Sequence, residues 1–152
     1  MMKIKNKLKL ISVVIILTAL LSGCVLGAGA SLEPSPYKPD DFDNIGTVVI
    51  ATDKQSYQRN TASITYTVSN ESGAEVYYGM SYCIEMQRGG KWYQLPFKED
   101  TAWIAIAHRL DSGESQSYDV ELSLFKQRLS RGNYRLVKQI GEKMYAAEFS
   151  VE

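Results

Sequence analysis

Residues 61–70 read Thr61-Ala62-Ser63-Ile64-Thr65-Tyr66-Thr67-Val68-Ser69-Asn70. Ile64, Tyr66 and Val68 fall on one side of an extended chain, and Thr65 and Thr67 on the other. Side chains alternate across a strand with period two, so this spacing predicts a half-buried β-strand. The same pattern recurs outward in both directions. Thr47 to Ala51 is a β-branched run ended by Thr52-Asp53, and Asn70-Glu71-Ser72-Gly73 is a turn cluster. Val76 to Gln87 reads as strand with a bend or bulge at Gly79. Arg88-Gly89-Gly90-Lys91 is a two-residue hairpin signal leading into Trp92 to Leu95, which Pro96 ends. Trp103, Ile104, Ile106 and Leu110 predict a further strand before the turn Asp111-Ser112-Gly113-Glu114, and Gln116 to Leu122 alternates again. Ser123 to Arg131 is a short helical turn or a corner. Tyr134 to Ile140 and Met144 to Val151 then pair across Gly141-Glu142-Lys143. About seven to eight short strands separated by turns predict an all-β, antiparallel two-sheet β-sandwich.

This pattern occupies residues 45–152, and the rest of the chain has a different composition. The whole chain is 152 residues, 45% hydrophobic, which suits one packed domain rather than two. Its 17 Lys+Arg balance 17 Asp+Glu, so no basic surface for nucleic acid is expected. That balance is uneven along the chain. Residues 1–23 hold Lys3, Lys5, Lys7 and Lys9 and no acid, which leaves 13 basic against 17 acidic residues beyond them, a net of −4. An apolar run from Leu10 to Leu21 follows, broken only by Ser12 and Thr18. Basic, apolar and small-residue regions in that order predict a secretory signal-peptide helix. A transmembrane anchor is the competing reading, but spanning takes about 20 apolar residues.

The small-residue site is Leu21-Ser22-Gly23-Cys24, directly after the apolar run, and it resembles the lipobox of bacterial lipoproteins. The resemblance implies a diacylglyceryl thioether on Cys24, cleavage before it, and a mature chain beginning there. Residues 24–44 would then be a lipidated N-terminus and a disordered linker. Gly27 to Ser31 are small residues, and Pro34, Pro36 and Pro39 follow, a flexible then stiffer spacer. The expected location is the extracytoplasmic face of the cell membrane.

Within the domain, Thr52-Asp53-Lys54 with Tyr57, then Ile64 to Asn70, Gly89-Gly90-Lys91-Trp92-Tyr93-Gln94-Leu95-Pro96, Leu110 with Ser112 to Ser115, and Leu129 to Lys138 occur in sequence. In this order they resemble the bacterial Ig-like domain of Gram-positive surface lipoproteins, over about Val48 to Val151. The resemblance implies an Ig-like sandwich, a surface location and no catalytic residues. It also makes Tyr134, shortly after Gly132, either the tyrosine of a corner motif or a plain core residue. A narrower likeness, through Leu129 to Tyr134, is to the intracellular proteinase inhibitor family of bacilli.

The residue inventory restricts activity. His108 is the chain's single histidine, so multi-histidine metal sites are excluded, and two cysteines exclude a four-cysteine zinc site. With Cys24 committed to lipid, Cys83 has no disulfide partner and reads as a small core residue. No phosphate loop is present, and the acids lie in turns. The expectation is a non-catalytic protein with no cofactor and no metal. Ten tyrosines and two tryptophans among the 129 residues from Cys24 onward admit two readings. They pack the core, or some form a recognition surface. The candidates are Tyr77, Tyr78, Tyr82, Trp92, Tyr93 and Trp103. The function expected is a monomeric, membrane-anchored module binding an unknown protein or cell-wall ligand. The alternative is a proteinase-inhibitor-like module with a protruding loop around Phe97–Thr101.

Overall fold

A computed structural model describes residues 32–43 and 45–152, so the leader, Cys24 and the small-residue stretch lie outside the described residues. The strand at Ser63–Asn70, labelled β4, is the centre of one sheet. It pairs antiparallel with β2 (Val48–Thr52) on one side and β9 (Ser115–Glu121) on the other. Its residues alternate between half-buried and buried along its whole length, and Ile64, Tyr66 and Val68 all enter the core, as the period requires. The second sheet has six strands. In spatial order they are β1 (Glu33–Pro34), β7 (Lys91–Gln94), β6 (Cys83–Arg88), β10 (Gly132–Ile140), β11 (Lys143–Val151) and β3 (Ser56–Tyr57). All neighbours are antiparallel except β11 and β3. A two-stranded piece, β5 (Val76–Tyr78) with β8 (His108–Leu110), completes the all-β sandwich.

Several local predictions are met. Arg88 and Lys91 pair across Gly89 and Gly90, whose φ values of 55° and 75° are the positive pair that a tight hairpin turn demands. Tyr134 is a corner tyrosine. Its hydroxyl donates to the Ser130 carbonyl at 2.8 Å and accepts from the Ser130 N–H at 3.0 Å. Gly79 lies where the chain leaves β5 and crosses to β6 in the other sheet. Asn70 is buried, and its amide donates to the carbonyls of Ala74 and Leu110 while its oxygen accepts from Ser72. That fixes the turn after β4.

Two segments differ from expectation. Strand structure before the Asp111 turn is confined to His108–Leu110, and Trp103–Ala107 is not strand. The alternation is present, but the ladder stops at Tyr78 opposite His108, because β5 ends there, and beyond it the Ile106 carbonyl only packs near Gly79.

The second difference concerns the proline-bearing stretch. Residues 32–43 lie against the sandwich as a strap rather than as free linker. Glu33 and Pro34 pair with Gln94 and Tyr93 at the sheet edge, where proline's missing N–H costs no ladder bond. The Ser35 N–H donates to the Trp92 carbonyl, and eight residues later in its path the Asp43 N–H donates to the Met144 carbonyl. The strap therefore crosses the outer face of the six-stranded sheet from β7 to β11.

What it covers explains why it stays. Core-facing Tyr134 and Leu136 alternate along β10 with outward-facing Arg135 and Val137, which lie opposite Glu85 and Cys83 of β6. Glu85 is fully buried, and its Oε2 accepts from both Nε and Nη2 of Arg135 at 2.7 Å. The guanidinium lies between two rings, 4.7 Å from Phe42 of the strap and 4.5 Å from Trp92. Each such contact contributes about 0.5–2 kcal/mol, the upper end applying when desolvated. Tyr37 lies near the Cys83 thiol, and burial pushes both groups up to about 12. Cys83 is thus half-covered beneath the strap on the outer face, and not in the main core.

Replacing Glu85 by Ala leaves the Arg135 charge beneath the strap without its partner. The expected cost is about 3–5 kcal/mol, measured from the shift in urea midpoint. The Glu85→Met/Arg135→Met double variant should recover part of it, since neither charge then remains.

Candidate functional site

Three of the six exposed large hydrophobic residues among the described residues, Trp103, Ile104 and Ile106, lie together on the connection from β7 to β8. Pro96 ends β7, and the chain is then tied down for a short distance. Phe97 stacks on Phe125 with ring centroids 4.4 Å apart, the Lys98 N–H donates to Leu124, and the Lys126 N–H donates to Pro96. Thr101 closes a turn by donating to the Lys98 carbonyl. Phe97–Thr101, the segment at which an inhibitory loop was expected, is therefore a closed turn held to the sandwich. Ala102 to Ala107 leave the surface. Six consecutive residues are exposed, none is charged, and Ile104 and Ile106 are 64% and 50% accessible.

The base of this loop is rigid. Trp103 is 38% accessible and packs edge-on against Tyr82 at 4.6 Å and Phe97 at 5.4 Å. Tyr82 in turn belongs to the Gly79–Tyr82 crossing, and that crossing is held from inside. Lys138 of β10 is buried, and its ammonium donates to the carbonyls of Gly79 at 2.6 Å and Ser81 at 3.2 Å. The rings of Tyr66 and Tyr78 lie 5.8 and 5.2 Å from it. Burial lowers the Lys138 pKa to about 8. A buried cation thus fastens the crossing that supports the exposed tryptophan.

The six aromatic candidates are dispersed. Tyr82 and Trp103 meet at the loop base. Tyr78 is a core residue, stacked on His108 with its hydroxyl 3.1 Å from that of Tyr118. Tyr77, on the opposite side of β5, is exposed and donates to Glu75, beside the exposed Arg109–Glu75 and Arg109–Asp111 pairs. Trp92 is committed to Arg135, and Tyr93 is half-buried opposite Met86 and Pro34. Reading the sequence for tyrosine and tryptophan missed Ile104, Ile106 and Phe97 as surface elements, and Lys138 as their support. The available signal was the run Thr101–Ala107, free of charge in a chain that is 22% charged.

His108 is half-buried between Tyr78 and Tyr118, at 5.9 and 5.6 Å, and borders a shallow polar hollow with Arg109 and Glu114. Among the described residues its side chain makes no hydrogen bond to a serine or cysteine, and no cluster of three His, Cys, Asp or Glu could hold a metal. Among the same residues no helix is long and apolar enough to cross a membrane.

The sandwich, the corner tyrosine and the Gly-Gly hairpin coincide with a match of residues 44–150 to the bacterial Ig-like domain. The chain belongs to this family. Ig-like domains of this kind are non-catalytic modules, typically extracellular or at the bacterial surface. The strap at 32–43 precedes the matched Ig-like region. No curated protein matches the chain.

Among solved structures, an alkylpurine DNA glycosylase of Pseudomonas fluorescens bound to DNA with an abasic-site analogue is similar at 13% identity and a TM-score of 0.41. It covers 70% of this chain and 30% of the glycosylase. A β-glucosidase of Erythrobacter marinus (10% identity, TM-score 0.37) aligns over 68% of this chain and 15% of its own. One of Listeria innocua in complex with gluconolactone (12%, TM-score 0.32) aligns over 68% and 16%. The Ig-like chain thus spans less than a third of each, and these likenesses are too low to bear on its chemistry.

The buried lysine gives a pH signature. Between about pH 8 and the unfolded value of 10.5 the unfolded chain binds the Lys138 proton and the folded one does not, so the contribution of Lys138 to stability rises with pH across that window. Above about pH 9 the Cys83 thiol, raised to about 12, acts in the opposite sense, joined above about pH 10 by Tyr37, Tyr57 and Tyr82, also raised to about 12. Thermal unfolding of wild type and Lys138→Met should therefore diverge from pH 8 towards 10, wild type gaining stability relative to the variant, which carries only the opposing thiol and tyrosine effects.

Proposed function

We propose that this protein is a lipid-anchored, extracytoplasmic module whose Ig-like domain binds an envelope component and performs no catalysis. The anchor reading rests on the basic leader, the Leu10–Leu21 apolar run and the Leu21-Ser22-Gly23-Cys24 site. One acyl chain gives marginal membrane residence, whereas two or more hold a protein durably. The binding reading rests on one observation, the exposed Ala102–Ala107 loop on its rigid aromatic base. Isolated surface aliphatics are ordinary, but a contiguous uncharged run on a monomeric domain marks a contact surface. The aromatic candidates for that surface narrow to Trp103, supported by Tyr82. Tyr77 stands apart from it, and Tyr78, Trp92 and Tyr93 are engaged within the domain.

Feeding cells an alkyne-bearing palmitate should label the wild-type chain and not Cys24→Ala, which should also leave the membrane fraction. Equal labelling of the two removes the anchor. A photo-crosslinker in place of Ile104 should capture an envelope component in living cells, and no capture at that position removes the binding role of the loop.

A further inference from the structure

We propose that the Ala102–Ala107 loop contacts the bilayer itself, so that the membrane holding the Cys24 lipid also covers Trp103, Ile104 and Ile106. This rests on the lipid attachment proposed above and adds a second point of contact to it.

The position of the strap carries the argument. The antiparallel register of Glu33 with Gln94 and Pro34 with Tyr93 puts Leu32 at the Leu95 end of β7. From that end the chain runs through Pro96, Phe97 and the Lys98–Thr101 turn to the loop, and Phe97 packs against Trp103. Leu32 itself packs on the core. The place where the tether joins the domain and the base of the exposed loop are therefore at one end of the same strand. Cys24 and Leu32 are eight positions apart, a span of at most about 26–29 Å fully extended. A domain of this size has a radius of gyration of about 13 Å. The lipid can hold the domain no farther from the bilayer than roughly the domain's own width, with the loop at the near end. Without the docked strap, the tether would be twelve residues longer and could join the sandwich elsewhere.

The chemistry of the loop fits a lipid headgroup region. Trp103 offers an apolar ring with one N–H, the kind of side chain enriched at membrane–water boundaries. Ile104 and Ile106 supply aliphatic surface, and no charge from Ala102 to Ala107 has to be desolvated. Depth is limited by the backbone. Among the described residues, the backbone bond formed within Ala102–Ala107 is Ile106 N–H to the Ile104 carbonyl. The other peptide groups need water or headgroup oxygens, so the loop belongs at the interface and not in the hydrocarbon. Attraction of net charge plays no part, because the chain beyond residue 23 is net negative. With the acyl chains providing residence, the loop provides orientation.

The test uses the full acylated protein reconstituted into phosphatidylethanolamine–phosphatidylglycerol vesicles carrying lipids brominated near the headgroup. Tryptophan emission should be quenched in wild type. Quenching should be lost in Trp103→Phe, where Trp92 remains, and in Ile104→Asp/Ile106→Asp. Both variants should keep the acyl mass on Cys24, float with the vesicles and melt as wild type does. Acylated wild type that floats while its emission matches the Trp103→Phe pattern overturns the bilayer contact and leaves the anchor standing. A chain that carries no acyl mass and does not float overturns both. A crosslinker at Ile104 that captures a protein in cells and no lipid overturns the proposal in favour of protein docking.

Discussion

Arg135 is the residue around which the outer face of this sandwich is organised. Strand β10 must alternate, so a residue following Tyr134 points away from the core, and on a six-stranded sheet that outward face needs its own cover. The guanidinium meets three demands at once. It neutralises Glu85, stacks on Trp92 from its own sheet, and offers its other face to Phe42 of the strap. Its always-charged, planar, weakly hydrated head is what allows a flat ring on either side and a carboxylate at the edge. Lysine could supply the charge but not the two faces. Through this contact, a sequence rich in proline becomes a structural layer.

The strap and the exposed loop share a physical logic with opposite outcomes. Both are short of conventional strand neighbours. The strap finds a sheet edge at β7 and rings to stack on, so its backbone and its apolar groups are both satisfied. The loop has a strand-like alternation of Ile104, Ala105 and Ile106 but no adjacent edge, so it stands clear with its side chains exposed. Lys138 contributes to that outcome from the interior by holding the Gly79 and Ser81 carbonyls, which keeps the crossing in place beneath Trp103.

Much of the fold was legible because local chemistry and tertiary structure agree. The Ile64–Tyr66–Val68 alternation, the Gly89-Gly90 turn, the break at Gly79 and the corner at Tyr134 each follow from residues within a few positions. The illegible parts depend on distant partners. Prolines at 34, 36 and 39 announce a spacer, and nothing nearby reveals that an edge strand some sixty residues later will accept one of them. Trp103–Ile106 has the period of a strand, and only the length of β5 decides that it is not one. Lys138 stands in Leu136-Val137-Lys138-Gln139-Ile140, where parity alone would place it in the core, but its charge argues for solvent. The site was half-visible for the same reason. Aromatic content pointed to Tyr82 and Trp103 but equally to Tyr78, which the core had already taken.

Cys83 has a further bearing on the membrane anchorage proposed above. Proteins confined to a plane meet copies of themselves far more often than the same number free in a volume, and outside the cytoplasm thiols are readily oxidised. A cysteine on the outer face of a sheet would ordinarily be a liability there, linking neighbours into covalent pairs. Beneath Tyr37, with its ionisation pushed to about 12, this sulfur holds almost no thiolate, the form that attacks disulfides. On the proposed lipid anchor, the strap that shortens the tether would therefore also keep this thiol from linking neighbouring copies.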